Sequence, residues 1–214
     1  MNAPKADKIY TAKDPTNDAN TVLAFESFRT DDTAGCGAYF GLTDGTLDSA
    51  VKGVSFDMNI ASRGDWNGNG VANELVGDYF INNGFQILYQ LFFSVGSSRA
   101  FCIAVQPVAG EDGIVTGFRL MLGEGGSGSV FIDNVYSLDT VYNIKAEMHI
   151  DKNGLTAVKI LVNGTEALSS DNFMKFEYGK NAAVSLEVYA LKRTRGISYF
   201  DNFEYYASEE LVAR

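Results

Sequence analysis

The stretch from Asp139 to Gly164, DTVYNIKAEMHIDKNGLTAVKILVNG, constrains the fold more than any other part of the chain. Ile144, Ala146, Met148 and Ile150 alternate with Lys145, Glu147, His149 and Asp151. A period of two is the mark of a strand with one buried and one wet face. Asp151-Lys-Asn-Gly154 supplies turn chemistry, because Asn and Gly tolerate positive φ. Val158, Ile160 and Val162 return as an apolar set, and Asn163-Gly164 signals a second tight turn. The stretch therefore predicts a half-exposed antiparallel sheet.

Elsewhere the same pattern recurs. Val54, Phe56, Met58 and Ile60 alternate with Ser55, Asp57 and Asn59. Further strands are expected at 21–28, 79–81, 85–93, 100–105, 118–122, 129–133, 183–189 and 197–206. A loop rich in Gly and Asn spans Asp65 to Asn73. A short helix is expected near Glu74 or over 170–176, where Ser169-Ser-Asp would cap it. About a dozen short strands with turn signals between them predict an all-β fold, a two-sheet antiparallel β-sandwich or a barrel. The 15 Phe and 11 Tyr suit pleated surfaces, and the 22 Gly against 3 Pro suit many turns. Residues 1–20 read as a polar N-terminal arm or linker, 21–207 as the β-sandwich domain, and 208–214 as a C-terminal tail.

Charge narrows the partners. The net charge of −10 repels phosphate backbones and anionic membranes, so neither nucleic acid nor a membrane surface is expected as a partner. The acidic surface is compatible with neutral glycans and with Ca²⁺. No apolar run is long enough to span a bilayer, so no membrane insertion is expected. Met1-Asn-Ala-Pro-Lys lacks the apolar centre of a signal peptide. Two readings follow: a cytoplasmic protein, or a mature segment without its leader. Cys36 and Cys102 are the 2 cysteines, either paired or both buried as thiols. With 1 His and no CxxC pattern, zinc is not expected.

The segment DTVYNIKAEMHIDKNGLTAVKILVNGTE resembles the paired strands of concanavalin A-like, laminin G-like jelly rolls. Tyr142, Ile144, Asp151, Thr156, Ile160, Val162, Asn163 and Gly164 match that pattern. LAFESF at 23–28 and ISYFDNFEYYA at 197–207 are similar to the terminal strands of bacterial jelly-roll carbohydrate-binding modules. The resemblance covers about residues 21–207 and favours an extracellular or cell-surface location, with other modules of a larger chain as neighbours. It implies noncatalytic binding of a glycan or polysaccharide, with a structural Ca²⁺ shared by Glu26 and Asp201.

Three places carry candidate chemistry. Asp201 shares an alternating face with Tyr199 and Phe203 and is therefore expected to point inward. A buried carboxylate is costly unless paired, hydrogen-bonded at a strand end, or metal-bound. Asp65-Trp-Asn-Gly-Asn-Gly70 resembles the first half of a calcium loop, with Asp65 as its one charged ligand, but Val76 stands where the loop's closing Glu belongs. The competing reading of that loop is an Asx turn without metal. Trp66, flanked by Asn67 and Asn69, suits a sugar platform: aromatic planes pack on C–H faces while amides bond hydroxyls. It also suits a lid over the sandwich. Tyr79 and Tyr89 are further ligand candidates.

No reaction is specified. The Glu-x-Asp-x-x-Glu strand of the glucanase branch is absent, and so are the Arg/His/Tyr strand sets of alginate lyase-like jelly rolls. His149 lies among Lys145, Glu147 and Asp151 on a wet face, with no nucleophile context. Binding is therefore expected rather than catalysis. The alternatives are a polysaccharide hydrolase or lyase of the same fold, and a structural or protein-adhesion module.

Trp66 is the sole Trp, so its fluorescence reports directly on the platform reading. A binding glycan is expected to change that emission. Trp66→Ala is expected to abolish binding at an unchanged melting temperature, and unchanged affinity in the variant returns Trp66 to packing.

Overall fold

The computed structural model describes residues 8–28, 37–42, 51–64, 72–74, 89–95, 98–124, 129–150, 155–175, 184–190 and 195–208. Among them every regular element is a strand: β1 (Lys8–Asp14), β2 (Asn17–Phe28), β3 (Gly37–Leu42), β4 (Val51–Ile60), β5 (Arg63–Gly64), β6 (Asn73–Glu74), β7 (Tyr89–Val95) and β8 (Ser98–Ala109). The chain continues with β9 (Val115–Glu124), β10 (Ser129–Phe131), β11 (Tyr136–Ser137), β12 (Tyr142–Ile150), β13 (Leu155–Val162), β14 (Thr165–Lys175), β15 (Val184–Ala190) and β16 (Arg195–Ser208).

They form two antiparallel layers. The first is seven-stranded, in the order β1-β2-β16-β4-β12-β13-β14. The second runs β10-β9-β8-β7-β15-β3, with β11 also paired to β9, and β5 and β6 make a separate two-stranded ribbon. The apolar alternation in each layer accounts for the stacking. Phe25, Val54, Phe56, Met58, Ile60, Ile144, Ala146, Val158, Ile160 and Phe200 from the first sheet close on Ile103, Val105, Phe118, Leu120 and Leu122 from the second. The fold is the expected two-sheet antiparallel β-sandwich. Burying a side chain such as Phe56 or Leu120 contributes about 1.5–3 kcal/mol, which is why the inner faces set the register.

Some sequence expectations are corrected. Residues 8–20 were expected in a polar arm, yet they supply β1 and the start of β2. Lys8, Tyr10 and Ala12 pair with Glu26, Ala24 and Val22, so the arm's polarity is that of an edge strand. The helix expected over 170–176 is not formed, since β14 runs through to Lys175; Glu74 ends β6, and the residues that follow it lie outside the described residues. Ladder pairing of Leu155–Val162 with β14 overrides the local capping signal at Ser169. The strand expected at 79–81 and the turn at Asp151–Gly154 lie outside the described residues.

The signature hairpin is present, with Ile144 opposite Val162 and Ile150 opposite Thr156. Asn163 (φ 50°) and Gly164 (φ 76°) join β13 to β14. Two successive positive φ values are what a type I′ turn needs. The turn is also clamped to β12: the Asn163 N–H donates to the Asn143 carbonyl at 2.8 Å, and the Asn143 N–H donates to Asn163 Oδ1 at 2.8 Å.

The closing strand is irregular. Asp201 stands opposite Asp57 and Glu204 opposite Ser55, so Asn202 and Phe203 face the single residue Phe56. Asn202 takes φ 50°, which shifts the alternation by one. Phe203 therefore turns to the core, stacking on Phe56 at 5.7 Å and lying 6.4 Å from Phe200. Asp201 keeps to the opposite, outer face with Tyr199. The inward Asp201 expected from simple alternation is thus corrected by the bulge.

At the far side of the second sheet, β11 lies so close to β9 that a Cβ on Gly117 would sit 2.7 Å from the Tyr136 carbonyl oxygen. Tyr136, Tyr142 and Phe118 form an aromatic trio with centroids 5.2 to 5.8 Å apart.

Two predictions follow from this packing. Asn202→Ala places a Cβ without an amide in the left-handed region and is expected to cost about 1–2 kcal/mol in urea denaturation. Asn202→Gly keeps the backbone relaxed and is expected to cost less; equal costs would remove the backbone argument. Burial pushes the Tyr136 phenol above its ordinary 10.0; the Asn134 side chain pulls the other way without offsetting it, and Tyr142 adds a small upward push. The folded value exceeds the unfolded one, so this contribution to stability is complete below pH 10.0 and is lost as pH rises through the folded value. Tyr136→Phe is expected to flatten the alkaline fall of the melting temperature.

Candidate functional site

The outer face of the seven-stranded sheet carries a polar cleft at the bulge. It is lined by Asp14, Asn20, Asp57, Asn59, Tyr199, Asp201 and Asn202, with Val22 and Val141 at its edge. Its volume is about 70 Å³. That is well below the roughly 300 Å³ at which small-molecule pockets begin. It has room for a few waters.

Register explains why these residues meet. Asp57 lies between Asn143 on β12 and Asp201 on β16, and Asn59 lies opposite Tyr199. The end of β1 adds Asp14, and β2 adds Asn20. Amides then hold the carboxylates in place. Asn143 Nδ2 donates to Asp57 Oδ1 at 2.9 Å, and Asn202 Nδ2 donates to Asp57 Oδ2 at 2.7 Å. Asn20 Nδ2 bridges Asp201 Oδ2 at 2.8 Å and Asp14 Oδ2 at 3.4 Å.

Asp14 is anchored further by the Thr16 N–H at 2.8 Å and the Thr16 hydroxyl at 2.7 Å. Slight burial pushes its carboxyl up, but the bonds from Thr16, Asn20 and Asn17 together hold it below its ordinary 3.8.

Asn59 is the unsatisfied member. It is 3% exposed, and both Oδ1 and Nδ2 are buried without a hydrogen-bond partner. Each such group costs about 1–3 kcal/mol if left unmet. The sequence showed Asp57 and Asn59 as the polar side of an alternating strand, which reads as solvent-facing. Their cover by β16 and the β1–β2 hairpin needed tertiary structure.

The sequence-derived candidates fall as follows. Asp201 lies in the cleft. Glu26 lies on β2 opposite Ile197, four residues from Asp201 along β16. At about 3.3 Å per residue that places their register positions about 13 Å apart along the strand. Asp65, Trp66, Asn67, Asn69 and Tyr79 lie outside the described residues, as does Cys36. Tyr89 stands opposite Val105 in the β7–β8 pairing. Among the described residues no three His, Cys, Asp or Glu side chains converge as a ready-made metal centre.

A second polar face lies on the other sheet. Arg119 on β9 stands opposite Gln106 on β8. Both are half-buried, and Arg119 Nε is buried without a partner. The adjacent row of the ladder is Tyr189, Gln90, Ala104 and Met121.

No profile of a known protein family matches the chain, and no curated protein matches it by sequence. Solved structures do match it in shape. An endo-β-1,4-glucuronan lyase from the fungus Trichoderma reesei superposes with a TM-score of 0.57 at 8% identity, covering 95% of this chain and 88% of the lyase. A carbohydrate esterase from the Shiga toxin-encoding bacteriophage phi24B gives 0.57 at 8% identity, covering 96% and 89%. An alginate lyase from Pseudomonas aeruginosa gives 0.54 at 9% identity, covering 93% and 86%. At such identities the likeness is one of fold: the chain has a jelly-roll β-sandwich fold of the concanavalin A-like kind.

Proposed function

We propose that this chain is a noncatalytic carbohydrate-binding module of a secreted or cell-surface protein. The observation that carries the reading is the Arg119–Gln106 pair on the outer face of the second sheet, in a sandwich of the shape shared with proteins named for work on polysaccharides. A half-buried guanidinium with an unpartnered Nε calls for an acceptor from a ligand. Sugar hydroxyls and uronate carboxylates supply one, and a carboxylate takes a guanidinium in a two-bond fork. Gln106 beside it offers both donor and acceptor to neighbouring hydroxyls.

A second reading is favoured by the same Arg119. A lyase acting on a uronate polymer must neutralise the sugar carboxylate before a proton is taken from the adjacent carbon. Tyr189 stands in the adjacent row of register positions, which keeps a phenol among the residues to test as base.

A panel of neutral and uronate polysaccharides, including glucuronan and alginate, separates these readings. The expected result is specific binding without formation of ultraviolet-absorbing unsaturated products. Arg119→Gln is expected to weaken binding at least about tenfold, the discrimination of one charged hydrogen-bond pair. Unsaturated products would make the chain a lyase. A blank panel with folded protein would move the assignment to a structural or adhesion module.

A further inference from the structure

One cross-strand row of the first sheet runs Tyr10, Ala24, Tyr199 and Asn59, on β1, β2, β16 and β4. Leu23 and Phe25 on either side of Ala24 pack into the core, so this row belongs to the outer face. Tyr199 and Asn59 also line the polar cleft. We infer that this face is a second carbohydrate site, where the cleft takes the hydroxymethyl arm of a neutral hexose and Tyr199 meets the sugar ring outside it. Its ligand class rests on the carbohydrate reading above, but none of its residues belongs to the Arg119 face.

Asn59 sets the demand. It is 3% exposed, and its Oδ1 and Nδ2 have no hydrogen-bond partner. Yet the cleft it lines opens to solvent, since Val141 and Asn202 in the same lining are exposed. The amide needs a donor at one atom and an acceptor at the other. An ammonium group only donates and leaves Nδ2 unmet, while a carboxylate only accepts and leaves Oδ1 unmet. A hydroxyl does both. Water does the same, and a sugar hydroxyl that displaces it reproduces its bonds, so the exchange carries no hydrogen-bond penalty.

Size selects the arm. Pockets that enclose whole small molecules begin at roughly 300 Å³, and this cleft holds about 70 Å³. A sugar ring is excluded, but one carbon and one oxygen fit where a few waters would. A hydroxyl set directly on the ring could not reach Asn59 without the ring following it. Val22 and Val141 line the same space and give the methylene apolar contact.

Charge selects the neutral sugar. Asp14, Asp57 and Asp201 line the cleft, and no Lys or Arg does. Their oxygens accept from Asn20, Asn143, Asn202 and Thr16, so their part is to set the field rather than to hold the ligand. A uronate carries a carboxylate in place of the hydroxymethyl arm, and like charges brought together oppose binding. The aromatic residues complete the site. Tyrosine offers an apolar body with a polar tip. Tyr10 is 38% exposed and lies two strands from Tyr199, about 10 Å away at about 4.8 Å per strand, so a longer sugar chain meets a second ring.

Calorimetric titration of the whole chain with β-1,4-linked tetrasaccharides of glucose, mannose, galactose and xylose tests the site. Xylose has the same ring without the hydroxymethyl arm. At least one hexose tetrasaccharide is expected to bind, and xylotetraose about tenfold more weakly, the loss of one hydrogen-bonded group. Asn59→Leu keeps the side-chain size without the amide. It is expected to raise the melting temperature, because an unmet buried amide is removed, and to erase the preference for hexose over xylose. Glucuronan binding is read in parallel and is expected to be the same in Asn59→Leu as in the wild type, so failure of the Arg119 face and failure of this cleft show separately. Equal binding of xylotetraose by the wild type, or no binding of any hexose tetrasaccharide, overturns the inference and leaves ordered water as the partner of Asn59. So does a hexose preference that survives in Asn59→Leu.

Discussion

The closing strand has to satisfy two faces, and the left-handed residue at Asn202 is what lets it. Phe200 and Phe203 both belong with Phe56 in the core, 6.1 and 5.7 Å from its ring. Three residues apart in a flat strand, they would point to opposite sides. The bulge restores Phe203 to the inner face. Apolar burial drives that choice, since exposing a Phe costs about 1.5–3 kcal/mol, more than the about 1–2 kcal/mol of a left-handed turn at one non-glycine residue. Asn is also among the residues that visit that region most readily, so the cost falls further. The same step delivers the Asn202 amide to Asp57 on the outer face. Core packing and the polar cleft are therefore two consequences of one backbone irregularity.

The cleft in turn shows how a sheet holds carboxylates side by side. Asp57 and Asp201 stand directly opposite each other on adjacent strands, an arrangement that is destabilising for like charges. A Lys or Arg would offset it, as Lys145 does for Glu147 at 2.9 Å further along β12. Here Asn side chains from three separate places do so instead: the start of β2, the start of β12 and the bulge. Each is itself oriented by backbone structure. Asn143, for example, is fixed by its two bonds with the Asn163 turn. The signature hairpin thus acts at a distance from its own turn by setting one amide against Asp57.

The fold was legible because period-two alternation is a local property. Val51–Ile60 and the strands either side of Lys159 could be read residue by residue, and the positive φ of Asn163 and Gly164 follows from the Asn-Gly pair alone. The cleft was legible only in part. Asp201 was singled out, but the alternation through Phe203 gave it the wrong face, because a bulge leaves little trace in composition beyond one Asn. Asp57 and Asn59 were visible as the polar side of β4. Nothing local says that a neighbouring strand and a distant hairpin cover Asn59. Residues 8–20 were misread for a related reason: an edge strand has one neighbour, so its sequence is held to a weaker apolar pattern than a central strand's. Trp66 and its flanking Asn residues lie outside the described residues, so the aromatic platform rests on sequence alone.

The two polar faces differ in a way that bears on function. The cleft on the first sheet is small, acidic and assembled from hydrogen bonds within the chain, so most of its acceptors are already in use. The Arg119 face of the second sheet has the opposite character: a cation with a donor still unpaired, beside an amide that has both donor and acceptor. A group whose partners lie within the chain stabilises the fold. A buried group without one lowers stability until something from outside meets it, and that cost is recovered on binding. By that measure Asn59 and Arg119 are the informative residues on their respective sheets. Asn59 lies buried at the cleft of the first sheet, and Arg119 lies half-buried on the second. The sandwich keeps the two apart by its full thickness, about 10 Å between sheets.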